Sequence, residues 1–437
     1  MEEMMPYRTD TESNVLDWTD LDRDHVWHPY TQAATAPAPL PIERGEGAWL
    51  YTRDGRRVFD AISSWWVTLH GHAHPRIVRA IAGQAALLEQ VIFAGCTHEP
   101  AARLAAELAD ILPGDLRRIF YSDNGSTAVE VALKMCVQLW DNRGEKRSRF
   151  LALDGAYHGD TFGSMSVSAR SVFTGSFEPL LFSVGRLPFP ASPIEEERML
   201  EECRAELATG RIAGLIVEPL LLGAGGMKMW RPEALRRLAE LCREQGTPLI
   251  ADEVLTGFGR TGSMFAVEQA DVSPDIICLS KGLSGGFLPF AVTACREAIY
   301  REFLHEEKSR ALLHGHSFTA NPLGCAAARA SLAIFREEPV FERIAAIERT
   351  HHERIEELAG RPGIASPRVL GTVAAVDIEA EDSGYLSRAT GQLAADAVEA
   401  GILLRPLGNT LYLLPPLCTT ENELHTIYDF LCSYYDV

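Results

Sequence analysis

DIICLSKGLSGGFLPF, residues 275–290, carries an apolar run into a lysine, Lys281, and follows it with Gly282, Ser284, Gly285 and Gly286. A short apolar run bounded by glycines reads as a buried strand of a parallel sheet. Two upstream runs stop the same way, GLIVEP at Glu218 and PLIADE at Asp252 and Glu253. Ligands of open α/β sheets bind outside the carboxyl ends of the strands, so these charges are expected to converge on one crevice.

Outward from that stretch, helical and strand signals alternate from about residue 76. PRIVRAIAGQAALLEQV, STAVEVALKMCVQLW and PEALRRLAELCREQG are helix-like, whereas RRIFYSD, RFLALD, IAGLIVEPL and TPLIADEV are strand-like. The alternation predicts an α/β fold, a mostly parallel sheet covered on both faces. FPASPIEEE (189–197) reads as a surface connection. After about residue 322 come the helices ASLAIFREE and FERIAAIERTHHERIEELAG, then short strands near VLGTVAAVDIE and TLYLLPP. The expected division is a large domain at 76–330 and a smaller α+β domain at 331–437. Residues 1–75 are expected to pack on the small domain and on a partner subunit.

The 437 residues are 46% hydrophobic, enough for a large core. Acidic residues outnumber basic ones 60 to 41, a net charge of −19, so nucleic acid and anionic lipid are disfavoured as partners. A small molecule is the expected partner. Nine cysteines without a CxxC pair point to reduced cytosolic thiols. MEEMMPYRTDTESNVLDWTD lacks the features of a signal peptide, and no run approaches the ~18 apolar residues of a membrane span, so a cytoplasmic location is expected.

A partly desolvated lysine can attack a carbonyl and form a Schiff base, and the small residues after Lys281 leave room for a ligand. A phosphate-loop lysine is the competing reading, but a Walker A loop places its glycines before the lysine. Pyridoxal 5'-phosphate needs a lysine for its aldehyde and a carboxylate at its ring nitrogen. Lys281 and Asp252 supply that pair. No metal site is expected at Asp252 and Glu253, because neighbouring strand residues face opposite ways and no histidine is near. YSDNGSTAVE offers a phosphate cradle: a strand, then Asn124, Gly125 and Ser126, then a helix opening on a Thr127-x-x-Glu130 capping box. GAYHGD places Tyr157 where an aromatic could stack on the pyridine ring, and SSWWVTLHGHAHP offers Trp65 and Trp66 as an aromatic wall.

DNGSTAVEVALKM, GAYHGDTFG, VEPLLLGAGGM, ADEVLTGFGRTG, SKGLSGGFLP and HGHSFTANPLGCA together resemble the class III aminotransferases, fold-type I pyridoxal-phosphate enzymes. VWHPYTQ, SSWW, FAGCTHEP and LLRPLGNTLYLLPP resemble the branch that aminates 8-amino-7-oxononanoate to 7,8-diaminononanoate in biotin biosynthesis. The resemblance implies that Lys281 anchors the cofactor and shuttles a proton, that Asp252 pairs with the pyridinium, that Gly125 and Ser126 hold the phosphate and that Tyr157 stacks on the ring. It further implies a homodimer in which HGHS, with Gly315, His316 and Ser317, reaches the neighbouring subunit's phosphate. Trp65, Trp66, Tyr30, Tyr157 and Gly315 would line the substrate channel, and Arg405 would meet the substrate carboxylate. The amino donor implied is S-adenosylmethionine, with lysine, or a general ω-amino-acid or diamine transaminase, as alternatives. Leu222 and SVSARSVF (166–173) depart from the usual pattern of S-adenosylmethionine users.

Overall fold

The computed structural model describes residues 17–380, 384, 387 and 389–436; the acidic stretch 1–16 lies outside the described residues. A seven-stranded sheet organises the chain. Its order is Leu116–Ser122, Ala291–Arg296, Ile276–Leu279, Leu249–Asp252, Ile212–Val217, Arg149–Leu153 and Val184–Leu187. Only Ala291–Arg296 runs antiparallel to its neighbours. Ile212–Val217, Leu249–Asp252 and Ile276–Leu279 are buried along their whole length, which is why their residues read as continuous apolar runs rather than as alternation.

Helices seal both faces. Helix Gly125–Asn142 lays Ala128, Val131, Ala132, Met135 and Leu139 on one face with helical spacing. Helix Pro322–Glu337 packs against helices Pro75–Ala85 and Glu99–Ile111 on the other. The first of those is shorter than its apolar pattern, ending at Ala85.

Two smaller sheets complete the described architecture. Ile364–Leu370, Val373–Ile378 and Thr410–Leu413 form an antiparallel sheet covered by helices Val340–Ala359 and Glu421–Tyr434. The strands Ile42–Glu46, Trp49–Thr52 and Arg57–Asp60 are joined by a fourth, Ile402–Leu403, from the C-terminal part. An N-terminal segment is thus hydrogen-bonded to residues some 340 positions later, Phe59 pairing with Ile402. No helix among the described residues is long and apolar enough to cross a membrane.

The 189–197 stretch is not merely a connection. Ser192 caps a helix, Pro193–Leu207, by accepting from the Glu195 amide. Glu196 is buried there, between the guanidinium groups of Arg231 and Arg237. Sequence polarity misleads at this point because two arginines from further along the chain, Arg231 capping helix Pro232–Glu244 and Arg237 within it, cover the carboxylate.

Candidate active site

Parallel strands deliver their carboxyl ends to one edge, and five of them contribute. Leu116–Ser122 leads to Asn124, Arg149–Leu153 to Tyr157 and Ile212–Val217 to Glu218; Leu249–Asp252 ends on its carboxylate, and Ile276–Leu279 leads to Lys281. A cavity of about 520 Å³ lies there, lined by Gly125, Ser126, Tyr157, Glu218, Asp252 and Lys281, with Trp66 at its side.

Lys281 is half-buried and sits in the left-handed region at φ 41°, a conformation in which non-glycine residues are held only by their surroundings. Its Nζ lies 4.5 Å from the centroid of the Trp66 ring, a cation–π distance. Loss of water around the amine lowers its pKa to about 8, against the opposing pull of Asp252 and Glu218. Asp252 is buried; its Oδ2 is 2.7 Å from His158 Nδ1 and its Oδ1 accepts from the Val254 amide at 3.1 Å. Glu218 accepts from the amides of Tyr157 (2.9 Å) and Gly223 (3.0 Å). Burial pushes its carboxyl up to about 7. Glu253 turns away from the cavity and accepts from Thr256 and the amides of Ala266 and Val267.

Helix Gly125–Asn142 begins differently from its sequence signature. Asn124 is the cap: its side chain accepts from the Thr127 amide at 3.0 Å, and Thr127 Oγ1 accepts in return from the Asn124 amide at 3.2 Å. Glu130 instead reaches across to accept from Thr161 Oγ1 and the amides of Gly163 and Ser164. A Thr-x-x-Glu spacing cannot reveal this, because the competing donors lie about thirty residues downstream in a separate loop. Starting the helix at Gly125 leaves the amides of Gly125 and Ser126 in the first turn, without an intrahelical acceptor and beside Lys281.

The two tryptophans part company. Trp66 is buried and its indole N–H donates to the Tyr412 hydroxyl at 2.9 Å. Trp65 packs on Tyr30, ring centroids 5.3 Å apart, and under the Arg405 guanidinium at 4.5 Å. The Tyr30 hydroxyl donates to Asp160 and lies 3.5 Å from that of Tyr157, so this wall meets the lysine cavity at Tyr157. Burial raises the Tyr157 phenol well above its ordinary value.

Gly315, His316 and Ser317 do not line the lysine cavity of their own chain. Gly315 and Ser317 are exposed, and the Ser317 carbonyl accepts from Gln90 Nε2 at 2.8 Å. Glu218 lies in the crevice where the strand-end charges were expected to converge, and two residues given no role from the sequence join the site: His158 and Asp160, both inside GAYHGD. Their signal was position, polar residues in the loop after an apolar strand, but nothing local shows which partner each would meet.

Residues 30–433 match the family model for class-III aminotransferases. The chain belongs to the class III aminotransferases. Among relatives in this aminotransferase family, one from Synechococcus elongatus is 52% identical over 94% of this chain and 98% of its own; it is an adenosylmethionine-8-amino-7-oxononanoate aminotransferase. A Geobacter sulfurreducens protein of the same description is 38% identical, covering 98% of both chains. The crystal structure of the Methanocaldococcus jannaschii adenosylmethionine-8-amino-7-oxononanoate aminotransferase superposes with a TM-score of 0.92 at 36% identity, over 96% of this chain and 98% of that one. An amine transaminase from an uncultivated Pseudomonas species, solved in its PLP-bound form, superposes with a TM-score of 0.87 at 31% identity, over 94% and 98%.

Proposed function

We propose that this aminotransferase converts 8-amino-7-oxononanoate to 7,8-diaminononanoate, taking its amino group from S-adenosylmethionine and using pyridoxal 5'-phosphate. The observation that carries the reading is the Tyr30–Trp65–Arg405 wall, which meets the Lys281 cavity at Tyr157, in a chain 52% identical to a relative of that description.

The residues present fit the cofactor. Lys281 would hold it covalently, the Asp252 carboxylate would accept from its ring nitrogen, the Gly125 and Ser126 amides and the Ser126 hydroxyl would meet its phosphate, and Tyr157 would cover its face. When bound, pyridoxal phosphate supplies an electron sink for the carbon that loses a proton. Lys281, its amine lowered to about 8, is suited to take up and return that proton near neutral pH. His158 holds Asp252 oriented through the 2.7 Å contact. Arg405 offers a fork of donors to the carboxylate of the acceptor, and Trp65, Trp66 and Tyr30 enclose its apolar chain.

The reading includes a homodimer, in which the partner subunit's His316 and Ser317 complete the phosphate site. Exposed Leu313 and Phe318 on either side of that segment, with Leu87 and Ile92, support an interface there. A cytoplasmic setting suits nine free cysteines. Lysine as donor is the second reading, since Leu222 and residues 166–173 depart from the usual pattern of S-adenosylmethionine users and the HGHS and RPLG segments resemble those of lysine users.

The test is spectroscopic. Purified protein is expected to be yellow, with an absorption band that borohydride abolishes, and Lys281→Ala to lose the covalent link; a colourless protein would sink the cofactor assignment. After conversion to the amino-loaded form, 8-amino-7-oxononanoate should restore the original spectrum. A donor panel of S-adenosylmethionine, lysine and ω-amino acids then decides the other half-reaction.

A further inference from the structure

Glu218 ends a fully buried strand and faces the same cavity as Asp252 and Lys281. It forms no salt bridge among the described residues; its two oxygens accept one backbone amide each, from Tyr157 and Gly223. A buried carboxylate with so little compensation is costly, and a clamp on two amides does not by itself require a charge. The position is therefore explained better by what the charge faces.

We propose that Glu218 is a positioning residue for amino transfer: it tethers the loop that carries Tyr157 to the strand end, and with Asp252 it forms a two-carboxylate surround that stabilises a proton on Lys281. The proposal rests on the cofactor reading of Lys281. Titratable groups that share the cavity with Glu218 come from three elements: His158 from the loop after Arg149–Leu153, Asp252 from the next strand, and Lys281 beyond it. Arg260 opposes the two carboxylates at Lys281. Burial pushes the Glu218 carboxyl up and the Lys281 amine down, and the carboxylate opposes the loss of the lysine's proton. One carboxylate thus serves the cofactor ring, and the second acts on the lysine.

The experiment is competitive labelling with trace acetic anhydride on the full-length protein freed of cofactor, with each lysine quantified by mass spectrometry from pH 6 to pH 11. Lys134, Lys146, Lys228 and Lys308 serve as internal controls. In Glu218→Gln the midpoint of the Lys281 curve is expected to fall, so that labelling at neutral pH rises about three- to tenfold, with the high-pH plateau unchanged. Glu218→Asp keeps the charge while loosening the tether, and its midpoint is expected to stay near the native one. An unchanged midpoint in Glu218→Gln, with or without a higher plateau, would overturn the proposal, as would an equal fall in both variants. Failure of the cofactor reading shows separately, as a holoprotein whose absorption borohydride does not alter.

Discussion

His158 Nδ1 lies 2.7 Å from Asp252 Oδ2, and both side chains are buried. The ring N–H donates to a carboxylate whose other oxygen is held by the Val254 amide, so Asp252 is fixed in direction before any ligand arrives. Asp252→Asn preserves the shape and removes the charge. Amino transfer is expected to fall by about a hundredfold or more, while the protein remains folded and covalently loaded. Stopped-flow half-reaction rates and borohydride trapping check both halves of this expectation.

Arg405 stands over Trp65 at 4.5 Å and forms no salt bridge among the described residues. Its guanidinium is thus available to a carboxylate from the substrate. Arg405→Ala is expected to raise the acceptor KM about thirtyfold, the equivalent of ~2 kcal/mol for a charged hydrogen-bonded contact. Simple amine donors without a carboxylate should be affected little. Equal losses on both substrate types would assign Arg405 to packing.

Gly159 adopts φ 129°, and a Cβ there would run into the Ser126 side chain. The Gly159 loop and the cradle helix therefore touch at the point proposed for phosphate. Gly159→Ala should cost about 1–3 kcal/mol through backbone strain and overpacking. Cofactor loss on dialysis is expected to exceed what the drop in melting temperature alone would suggest, because the displaced atom is the Ser126 hydroxyl.

Glu253 is fully buried, and burial pushes its carboxyl up to about 7. A folded-state pKa raised above the unfolded value means that the stabilising contribution is complete below about 4.5 and is lost as pH rises through about 7. Glu253→Gln cannot titrate. The stability difference between native protein and variant should therefore shift in the variant's favour between pH 5 and pH 8, measured by denaturant unfolding at each pH. A difference that stays constant would contradict the raised pKa.

Sequence by itself determined the sheet and the edge at which chemistry is to be sought. Runs such as LIAD and IICL are buried on both faces and so must be apolar throughout, and the charge that follows each is legible without coordinates. Local pattern failed where a polar group found a distant partner. Glu130 left its expected cap for Thr161 and Gly163, and Glu196 was buried by Arg231 and Arg237. The paired tryptophans show the division most clearly. Trp65 and Trp66 are neighbours in sequence, yet one faces Tyr30 and Arg405 and the other faces Lys281 and Tyr412. That split depends on positive φ angles at Ser63, Ser64 and Trp66. The kink is held where the Asp60 carboxylate accepts from the Ser64 amide and hydroxyl and pairs with His72, and where Ser63 Oγ donates to the Leu414 carbonyl. Only tertiary structure could decide it, because a strained backbone persists only when contacts from elsewhere in the chain over-determine it.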